Sequence, residues 1–267
     1  MKTLWPGILD EVRQRQLAEP ALRRLLHDAV LRWDDPARAL AWRLAQRLAG
    51  SGESVGLLWG LLLEPLQTDS RLLDAAEADL LACRERDPAC HALHLPFLFY
   101  KGFHALQVHR AAHAHWLAGR RTSATLLQHR CSEALAVDIH PAAQLGSGLL
   151  LDHATGFVAG ETAIVEDGVS LLHGVTLGGT GKQGGDRHPV LRRGCSLGAG
   201  ALLLGRIEIG PGARVGAGSV VLTDVPGACT AVGQRARLVT RAPANSPAQS
   251  DVVPAWAKGP SRCSGSA

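Results

Sequence analysis

The chain has 267 residues, of which 46% are hydrophobic and 19% charged, and its formal net charge is +4, as is typical of one or two globular domains. Its basic residues form no run of five or six like charges, which argues against a nucleic-acid partner. The apolar run at 57–66 is too short for a membrane span and is interrupted by Glu64 and Pro65. The six cysteines form no C-x-x-C pair, so we expect a cytoplasmic chain with reduced thiols and no membrane partner.

The first half of the sequence has the apolar spacing of α-helices. Three leucines fall four residues apart between positions 40 and 48 and form one apolar face. Asp35 followed by Pro36 predicts the start of that helix, with an acidic N-cap and a proline in the first turn. Further helices are predicted at 8–33, 54–64, 70–84 and 95–118, the last of them closed by Gly119. We therefore expect a compact α-helical domain over residues 1–135.

The second half has a different period, because aliphatic residues recur at every sixth position. The first run comprises Ile139, Leu145, Leu151, Phe157, Ala163, Val169 and Val175, and the second comprises Leu191, Leu197, Leu203, Ile209, Val215 and Val221. A period of six fits neither an α-helix nor a simple strand. It is typical of a parallel β-helix, in which each hexad makes one short strand and a turn and directs one residue inward. We expect this β-helix over residues 136–239.

The six-residue period is interrupted once. Val175 and Leu191 are 16 positions apart, which is one hexad and ten further residues, and the glycine-rich segment between them predicts a loop at about 178–190. A loop on a rigid scaffold is a common place for functional residues. The segment 240–267 is rich in Pro, Ala and Ser and is expected to be a flexible tail. The predicted fold class is α+β, a helical domain followed by a β-helix with a protruding loop.

Ionisable residues occur where small or polar turn residues would suffice for the hexads. Asp138, Asp152 and His153 lie in the first repeats, while Arg187 and His188 lie in the predicted loop. A histidine oriented by a carboxylate is a general base suited to a hydroxyl group near neutral pH, and an arginine binds carboxylates. Any one of these residues alone is better explained as a solvated turn residue. Their gathering around one repeat break favours a catalytic site.

Two other site types fit the sequence less well. The segment GGTGKQ resembles a phosphate-binding loop, but Thr176 stands where the first glycine is needed and Gln183 replaces the Ser/Thr, which excludes a Walker motif. Some β-helix proteins hydrate carbon dioxide with zinc bound by a close pair of histidines. The candidate ligands here are His140, His153, His173 and His188, and the intervals between successive members are 13, 20 and 15 residues. They contain no close pair, so a zinc site of this kind is a weak alternative.

Two features of the helical half have simple structural interpretations. His109 and His113 belong to a histidine-rich segment, but their i, i+4 spacing on a predicted helix indicates a polar helix face rather than a metal site. Asp87 followed by Pro88 is typical of a helix cap.

The run DIHPAAQLGSGLLLDHATGFVAGETAIVEDGVSLLHGVTLGGTGKQGGDRHP closely resembles bacterial and plant serine acetyltransferases. The resemblance reaches the helical half through RERDPAC (84–90) and FYKGFHALQVHR (99–110) and covers roughly residues 1–240. The pair LDHATG and GGTGKxGGDRHP is specific to this enzyme among hexapeptide acetyltransferases. The resemblance implies a left-handed β-helix that transfers acetyl from acetyl-CoA to the hydroxyl of L-serine, without a metal, and makes O-acetylserine for cysteine synthesis.

The resemblance also implies roles for particular residues. His153 matches the family's general base and Asp138 its carboxylate partner. The residues that match those holding the serine amino and carboxylate groups are Asp87, Asp152, Arg187 and His188. The pantetheine arm of acetyl-CoA is implied to lie between neighbouring solenoids, against backbone at Gly179, Thr180, Ala199 and Ala217.

Partners follow from the same resemblance. Family members form trimers through their solenoids and pair two trimers through the helical domain, and the loop extends across a subunit boundary. L-cysteine is implied as a feedback inhibitor because it resembles serine. Many members end in an isoleucine that enters the active site of O-acetylserine sulfhydrylase. This sequence ends Gly265-Ser266-Ala267, so it lacks the residue on which a prediction of that complex would rest.

Overall fold

The computed structural model describes residues 1, 3–50, 52–182 and 184–233. These residues lie in one compact unit, Met1–Gly233, whose first part is helical and whose second part is built from short strands. The predicted tail at 240–267 and the end of the predicted β-helix segment, 234–239, lie outside the described residues.

Eight α-helices precede the strands in the described part of the chain. They are α1 (Trp5–Ala18), α2 (Arg23–Leu26), α3 (Pro36–Leu48), α4 (Val55–Thr68), α5 (Ser70–Arg86), α6 (His94–Phe99), α7 (Lys101–Leu117) and α8 (Arg121–Leu135). The prediction of a single helix over 8–33 is wrong. Glu19 has φ −127° and ψ 75°, because Pro20 disfavours a helical conformation in the residue before it.

Other helix boundaries follow local backbone chemistry. The Asp35 carboxylate accepts a hydrogen bond from the Ala37 backbone N–H at 2.9 Å, which confirms the predicted cap of α3. Gly119 follows α7 with φ +78°, a left-handed conformation that suits glycine at a helix end. The predicted helix 95–118 is divided at Tyr100, which is extended with ψ 109°. Helix α8 was not predicted, because its buried stripe is narrow and includes Cys131.

Fourteen strands in the described residues form three parallel sheets. The strands are β1 (Val137–Ile139), β2 (Gln144–Leu145), β3 (Leu150–Leu151), β4 (Phe157–Ala159), β5 (Ile164–Val165), β6 (Ser170–Leu171), β7 (Thr176–Gly178), β8 (Val190–Leu191), β9 (Ser196–Leu197), β10 (Leu202–Leu204), β11 (Glu208–Ile209), β12 (Arg214–Val215), β13 (Val220–Val221) and β14 (Thr230–Ala231). Sheet A orders its strands β1-β4-β7-β10-β13, sheet B β2-β5-β8-β11 and sheet C β3-β6-β9-β12-β14. Up to β13, successive strands pass from sheet to sheet in turn, which confirms the predicted parallel β-helix after a helical region.

Each hexad buries two residues rather than the one predicted. In the hexad at 169–174, for example, Val169 is 0% exposed and Leu171 is 1% exposed. The reason is the alternation of side chains in a strand, which places residues i and i+2 on the same face. Both inward positions are mostly aliphatic, so the interior of the solenoid is filled by two columns of side chains per face.

The strand register shows two insertions in the solenoid. Val158 pairs with Thr176, 18 positions on, but Val137 pairs with Phe157, 20 positions on, so the first coil is two residues longer. Val165 pairs with Leu191, 26 positions on. The glycine-rich segment between β7 and β8 therefore adds eight residues, not the ten predicted. Aliphatic residues occupy both inward positions of a hexad, and these positions are two residues apart. A two-residue insertion therefore moves the six-residue count from the second inward position, at Leu151, to the first, at Phe157, and leaves the count intact.

A buried polar network joins the helices to the first coil. The Arg110 guanidinium on α7 binds the Asp79 carboxylate on α5 at 2.5 Å and the Gly146 carbonyl at 2.8 Å. The same carboxylate accepts hydrogen bonds from Gln107 and from the Leu149 backbone N–H, both at 2.9 Å. Asp79 is fully buried, and paired buried charges of this kind hold elements in one relative position.

The histidines of α7 are buried, which contradicts the prediction of a polar helix face. His104 is 0% exposed and His109 is 4% exposed, because α7 is covered on most sides by other helices and by the solenoid. Burial lowers the pKa of both imidazoles to about 3. The rings of His109 and His113 stack at a centroid distance of 5.8 Å. Within the described residues, no group of three or more His, Cys, Asp or Glu residues is placed to hold a metal ion.

None of the helices described here combines the length and apolar character that crossing a membrane requires. The five cysteines of the described ranges are free, and Cys83, Cys90, Cys131 and Cys195 among them are buried.

Candidate active site

The candidate residues lie along two edges of the three-sided solenoid. We call the edge where the chain passes from sheet C to sheet A the CA edge, and the edge from sheet A to sheet B the AB edge. Turns stack on the CA edge, since Gly174 N donates to Thr155 O at 2.8 Å, Gly200 N to His173 O at 2.9 Å and Gly218 N to Ala199 O at 2.8 Å. From coil to coil the CA edge therefore carries Asp152 and His153, then His173, then Ala199, then Ala217.

The two-residue insertion of the first coil forms the turn that carries His153. His153 and Ala154 have φ +55° and +60°, a left-handed conformation that is uncommon outside glycine and is concentrated at functional sites. The turn is held by hydrogen bonds from Ala154 N to Asp152 O at 2.6 Å and from Gly156 N to Ala136 O at 2.7 Å. The His153 side chain is 72% exposed, so the backbone presents this imidazole to solvent.

The nearest described carboxylate to His153 belongs to the preceding residue. Asp152 Oδ2 lies 3.8 Å from His153 Nε2, and the His173 ring meets the His153 ring edge-on at a centroid distance of 5.7 Å. Asp138 lies on β1 in sheet A, where its carboxylate accepts a hydrogen bond from Gln128 of α8 at 2.7 Å. No hydrogen bond or ion pair joins Asp138 to His153 within the described residues of one chain, and their pairing stays a prediction.

Asp87 follows the last residue of α5 as its C-cap residue, so the predicted helix cap lies at the end of a helix and not at the start of one. Its carboxylate accepts a hydrogen bond from Ala89 N at 2.8 Å and forms a tight turn. The preceding Arg86 donates to the Gly148 carbonyl at 3.0 Å, the Gly168 carbonyl at 2.9 Å and Ser170 Oγ at 3.1 Å. Arg86 thus attaches the Asp87 turn to the solenoid, a role that no sequence pattern indicated.

The start of α7 connects the Asp87 turn with the CA edge. The Tyr100 hydroxyl lies beside the Asp87 carboxylate, and burial together with that carboxylate raises the pKa of Tyr100 above its ordinary value. The Lys101 ammonium donates to Thr155 Oγ1 in the turn after His153. A side chain at Gly102 would collide with the Leu151 carbonyl, so only glycine allows this close approach. Asp87, Asp152 and His153 therefore share one neighbourhood.

Arg187 and His188 are brought together on the AB edge. The Arg187 guanidinium binds the Glu161 carboxylate at 2.7 Å, and this hydrogen bond lowers the pKa of Glu161. His188 is 7% exposed. Its pKa is lowered mainly by burial and further by the nearby Arg187 charge. Thr162 contacts both residues. Glu161 and Thr162 were missed by sequence reasoning because they occupy ordinary turn positions of a hexad.

The predicted site residues of one chain fall into two separate sets. Sheet A lies between the CA edge, with Asp152 and His153, and the AB edge, with Arg187 and His188. The predicted acetyl-CoA positions divide in the same way. Gly179 and Thr180 follow β7 on the AB edge, whereas Ala199 and Ala217 follow β9 and β12 on the CA edge.

A six-residue parallel β-helix with an exposed, carboxylate-flanked histidine on its edge has the architecture of a hexapeptide-repeat acyltransferase. Comparisons with known proteins define the family. The family model described as serine acetyltransferase, N-terminal, matches residues 4–108. A serine acetyltransferase of Salmonella typhimurium is 45% identical over 247 residues, which are 92% of this chain and 90% of the relative. The chain belongs to the serine acetyltransferase family.

Solved structures agree over most of the chain. The serine acetyltransferase of Neisseria gonorrhoeae in complex with serine is 49% identical, with a TM-score of 0.84 over 88% of this chain and 97% of that structure. The enzyme of Brucella abortus in complex with coenzyme A is 44% identical, with a TM-score of 0.85 over 89% of this chain and 95% of that structure.

Proposed function

We propose that this protein transfers the acetyl group of acetyl-CoA to the hydroxyl of L-serine and releases O-acetyl-L-serine and CoA. The observation that carries the proposal is 45% identity to a serine acetyltransferase over 92% of the chain, together with His153 exposed on a strained turn. Relatives whose solved structures contain serine and coenzyme A support the two substrates.

His153 is the general base in this proposal. Its imidazole takes the proton of the serine hydroxyl as the serine oxygen attacks the thioester carbon. The carbon–sulfur bond then breaks, and the imidazolium returns the proton to the departing thiolate. A carboxylate beside His153 stabilises the imidazolium, and Asp152 at 3.8 Å and Asp138 are the two candidates. No acyl-enzyme is needed, because the serine oxygen attacks the acetyl group directly.

The ends of the serine molecule are held by the two sets of charged residues. Asp87 and Asp152 suit the ammonium group, and Arg187 and His188 suit the carboxylate. Sheet A separates these sets within one chain, so we propose that the CA edge of one subunit meets the AB edge of another, as in a trimer. Pairing of two such trimers through the helical region, with residues 1–135 as the oligomerisation domain, is part of the same proposal.

The CA edge suits the pantetheine arm of acetyl-CoA. Beyond His173 its turns carry only small side chains, at Ala199 and Ala217, and a side chain at Gly198 would collide with the Ala217 backbone. An extended chain can therefore approach the backbone closely along this edge. Gly179 and Thr180 of the neighbouring subunit would form the other wall. L-cysteine has the same ammonium and carboxylate groups as serine, and we propose that it competes at the same site.

The test is the release of free thiol from acetyl-CoA with L-serine, L-homoserine and a simple sugar in parallel assays. Rapid release with serine alone is the expected result. Release only with another acceptor would overturn the serine assignment but leave the base in place. If no thiol is released with any of the three acceptors, the protein would be better explained as a binding scaffold without catalytic activity.

A further inference from the structure

One hydroxyl on the AB edge contacts both residues proposed to bind the carboxylate of serine. Thr162 Oγ1 accepts a hydrogen bond from the backbone N–H of Arg187 at 3.0 Å and from that of His188 at 3.1 Å. The same oxygen lies 2.9 Å from His188 Nδ1. Thr162 lies in the turn between β4 and β5, one coil before the inserted segment, so these contacts attach that segment to the solenoid.

The direction of these hydrogen bonds determines the tautomer of His188. The Thr162 backbone N–H, which can only donate, points at His188 Nδ1 at 3.2 Å. Nδ1 is therefore an acceptor and carries no hydrogen. The two lone pairs of Thr162 Oγ1 are used by the N–H groups of Arg187 and His188, so its own hydrogen points to Nδ1 and shares the single lone pair of that nitrogen with the Thr162 backbone N–H. The hydrogen of the neutral ring is left on Nε2.

The position of the His188 ring is restricted as well. A side chain at Gly160 would collide with the imidazole, and one at Gly179 would lie 3.5 Å from Nε2. The Arg206 guanidinium donates to the His188 carbonyl at 3.2 Å and to the Thr162 carbonyl at 2.9 Å. Contacts thus restrict both the ring and the backbone of His188, while Nε2–H remains the donor that the ring offers to a ligand.

We infer that Thr162 is a positioning residue that holds His188 in its Nε2–H tautomer and fixes the backbone of Arg187, so that both donate to the carboxylate of the acceptor. The inference rests on the proposed function and adds a residue to it. Thr162 does not touch the reacting hydroxyl or the thioester in this account. Its loss should therefore weaken acceptor binding more than it slows chemistry.

The test compares Thr162→Val, which keeps the size of the side chain, with Thr162→Ser, which keeps the hydroxyl. Two backbone N–H groups lose their partner in Thr162→Val, so KM for serine should rise about ten- to hundredfold. We expect KM for acetyl-CoA to change less than about twofold and kcat less than about threefold. The reason is that the lost contacts hold the acceptor equally in the ground state and in the transition state. Thr162→Ser should restore KM for serine to within about threefold of wild type by the same reasoning. Thr125→Val, at an exposed position of α8, is the matched control.

Several outcomes overturn the inference. One is a KM for serine that Thr162→Val leaves unchanged, and another is damage in Thr162→Ser equal to that in Thr162→Val. A parallel rise in both KM values would indicate a merely structural role. If Thr162→Val and Thr162→Ala both fail to assemble by light scattering while Thr162→Ser assembles, the hydroxyl is needed for folding and the positioning role is wrong. If the wild-type enzyme is inactive with serine, the proposed function itself is wrong, and the inference that rests on it is wrong as well.

Discussion

His153 combines two properties that rarely occur together, a left-handed backbone conformation and an exposed ionisable side chain. A left-handed residue other than glycine costs roughly 1–3 kcal/mol, and here it lies in the two-residue insertion of the first coil. The result is a histidine raised on an edge beside Asp152 and His173, where a bound hydroxyl can reach it.

Replacement of His153 tests its role as base. His153→Ala should reduce kcat by roughly 10²–10⁴-fold, the usual contribution of a general base, and leave the oligomer intact. The measurements are thiol release at saturating substrates and light scattering. His129→Ala, at an exposed position on α8, serves as the control. Near-wild-type turnover of the His153 variant would show that another group takes the proton.

Among single residues, the sequence indicated the groups that break the hexad chemistry but not those that position them. His153, Arg187 and His188 were found because an ionisable residue is unusual in a hexad turn. Arg86 and Thr162 were not, because their residue types are common at such places and their roles depend on contacts across 82 and 26 positions of the chain. Such contacts leave no local pattern.

For the helices and strands, the spacing of apolar residues predicts the type of element but not every break within it. The sixfold spacing predicts a parallel β-helix, since one hexad is one strand and one turn. The spacing does not reveal the two-residue insertion in the turn at 152–156. An aliphatic residue still follows six positions later, although it occupies the other of the two inward positions. Similarly, Pro20 was a visible break in the predicted first helix, whereas neither proline nor glycine marks the extended backbone at Tyr100.

Helix α7 should make the protein sensitive to mild acid. His104 and His109 have a pKa lowered to about 3 by burial, while the unfolded chain titrates near 6.5. Between these values the unfolded state binds more protons, so the free energy of unfolding falls as the pH drops below about 6.5 and continues to fall towards about 3. Each histidine contributes a slope of about 1.4 kcal/mol per pH unit within that window.

The measurement is the free energy of unfolding by denaturant between pH 7.5 and 5, above the range in which most carboxylates titrate. His104→Gln should have the shallower pH dependence, because it removes one of the two buried imidazoles. Equal slopes for wild type and variant would mean that His104 is protonated in the folded protein or does not titrate on unfolding.

For the whole molecule, the division of site residues between two edges is the central observation. Each chain provides Asp152 and His153 on the CA edge, with Asp87 near them, and Arg187 and His188 on the AB edge. Sheet A lies between the two sets. The sequence indicated all five residues, but a linear sequence contains no information about which edge a turn occupies until the register and its insertions are known. If these residues form one site, as proposed, a complete site requires at least two chains.

The most direct test of this account is subunit complementation. His153→Ala and Arg187→Ala chains, each nearly inactive alone, are co-expressed and assayed for acetyl transfer to serine. If each site takes His153 from one subunit and Arg187 from the next, random mixing should restore about a quarter of wild-type activity. His153→Ala mixed with Asp152→Ala, both on the CA edge, should restore none. Activity of the first mixture no higher than that of its parents would show that the site lies within one chain and would contradict the account.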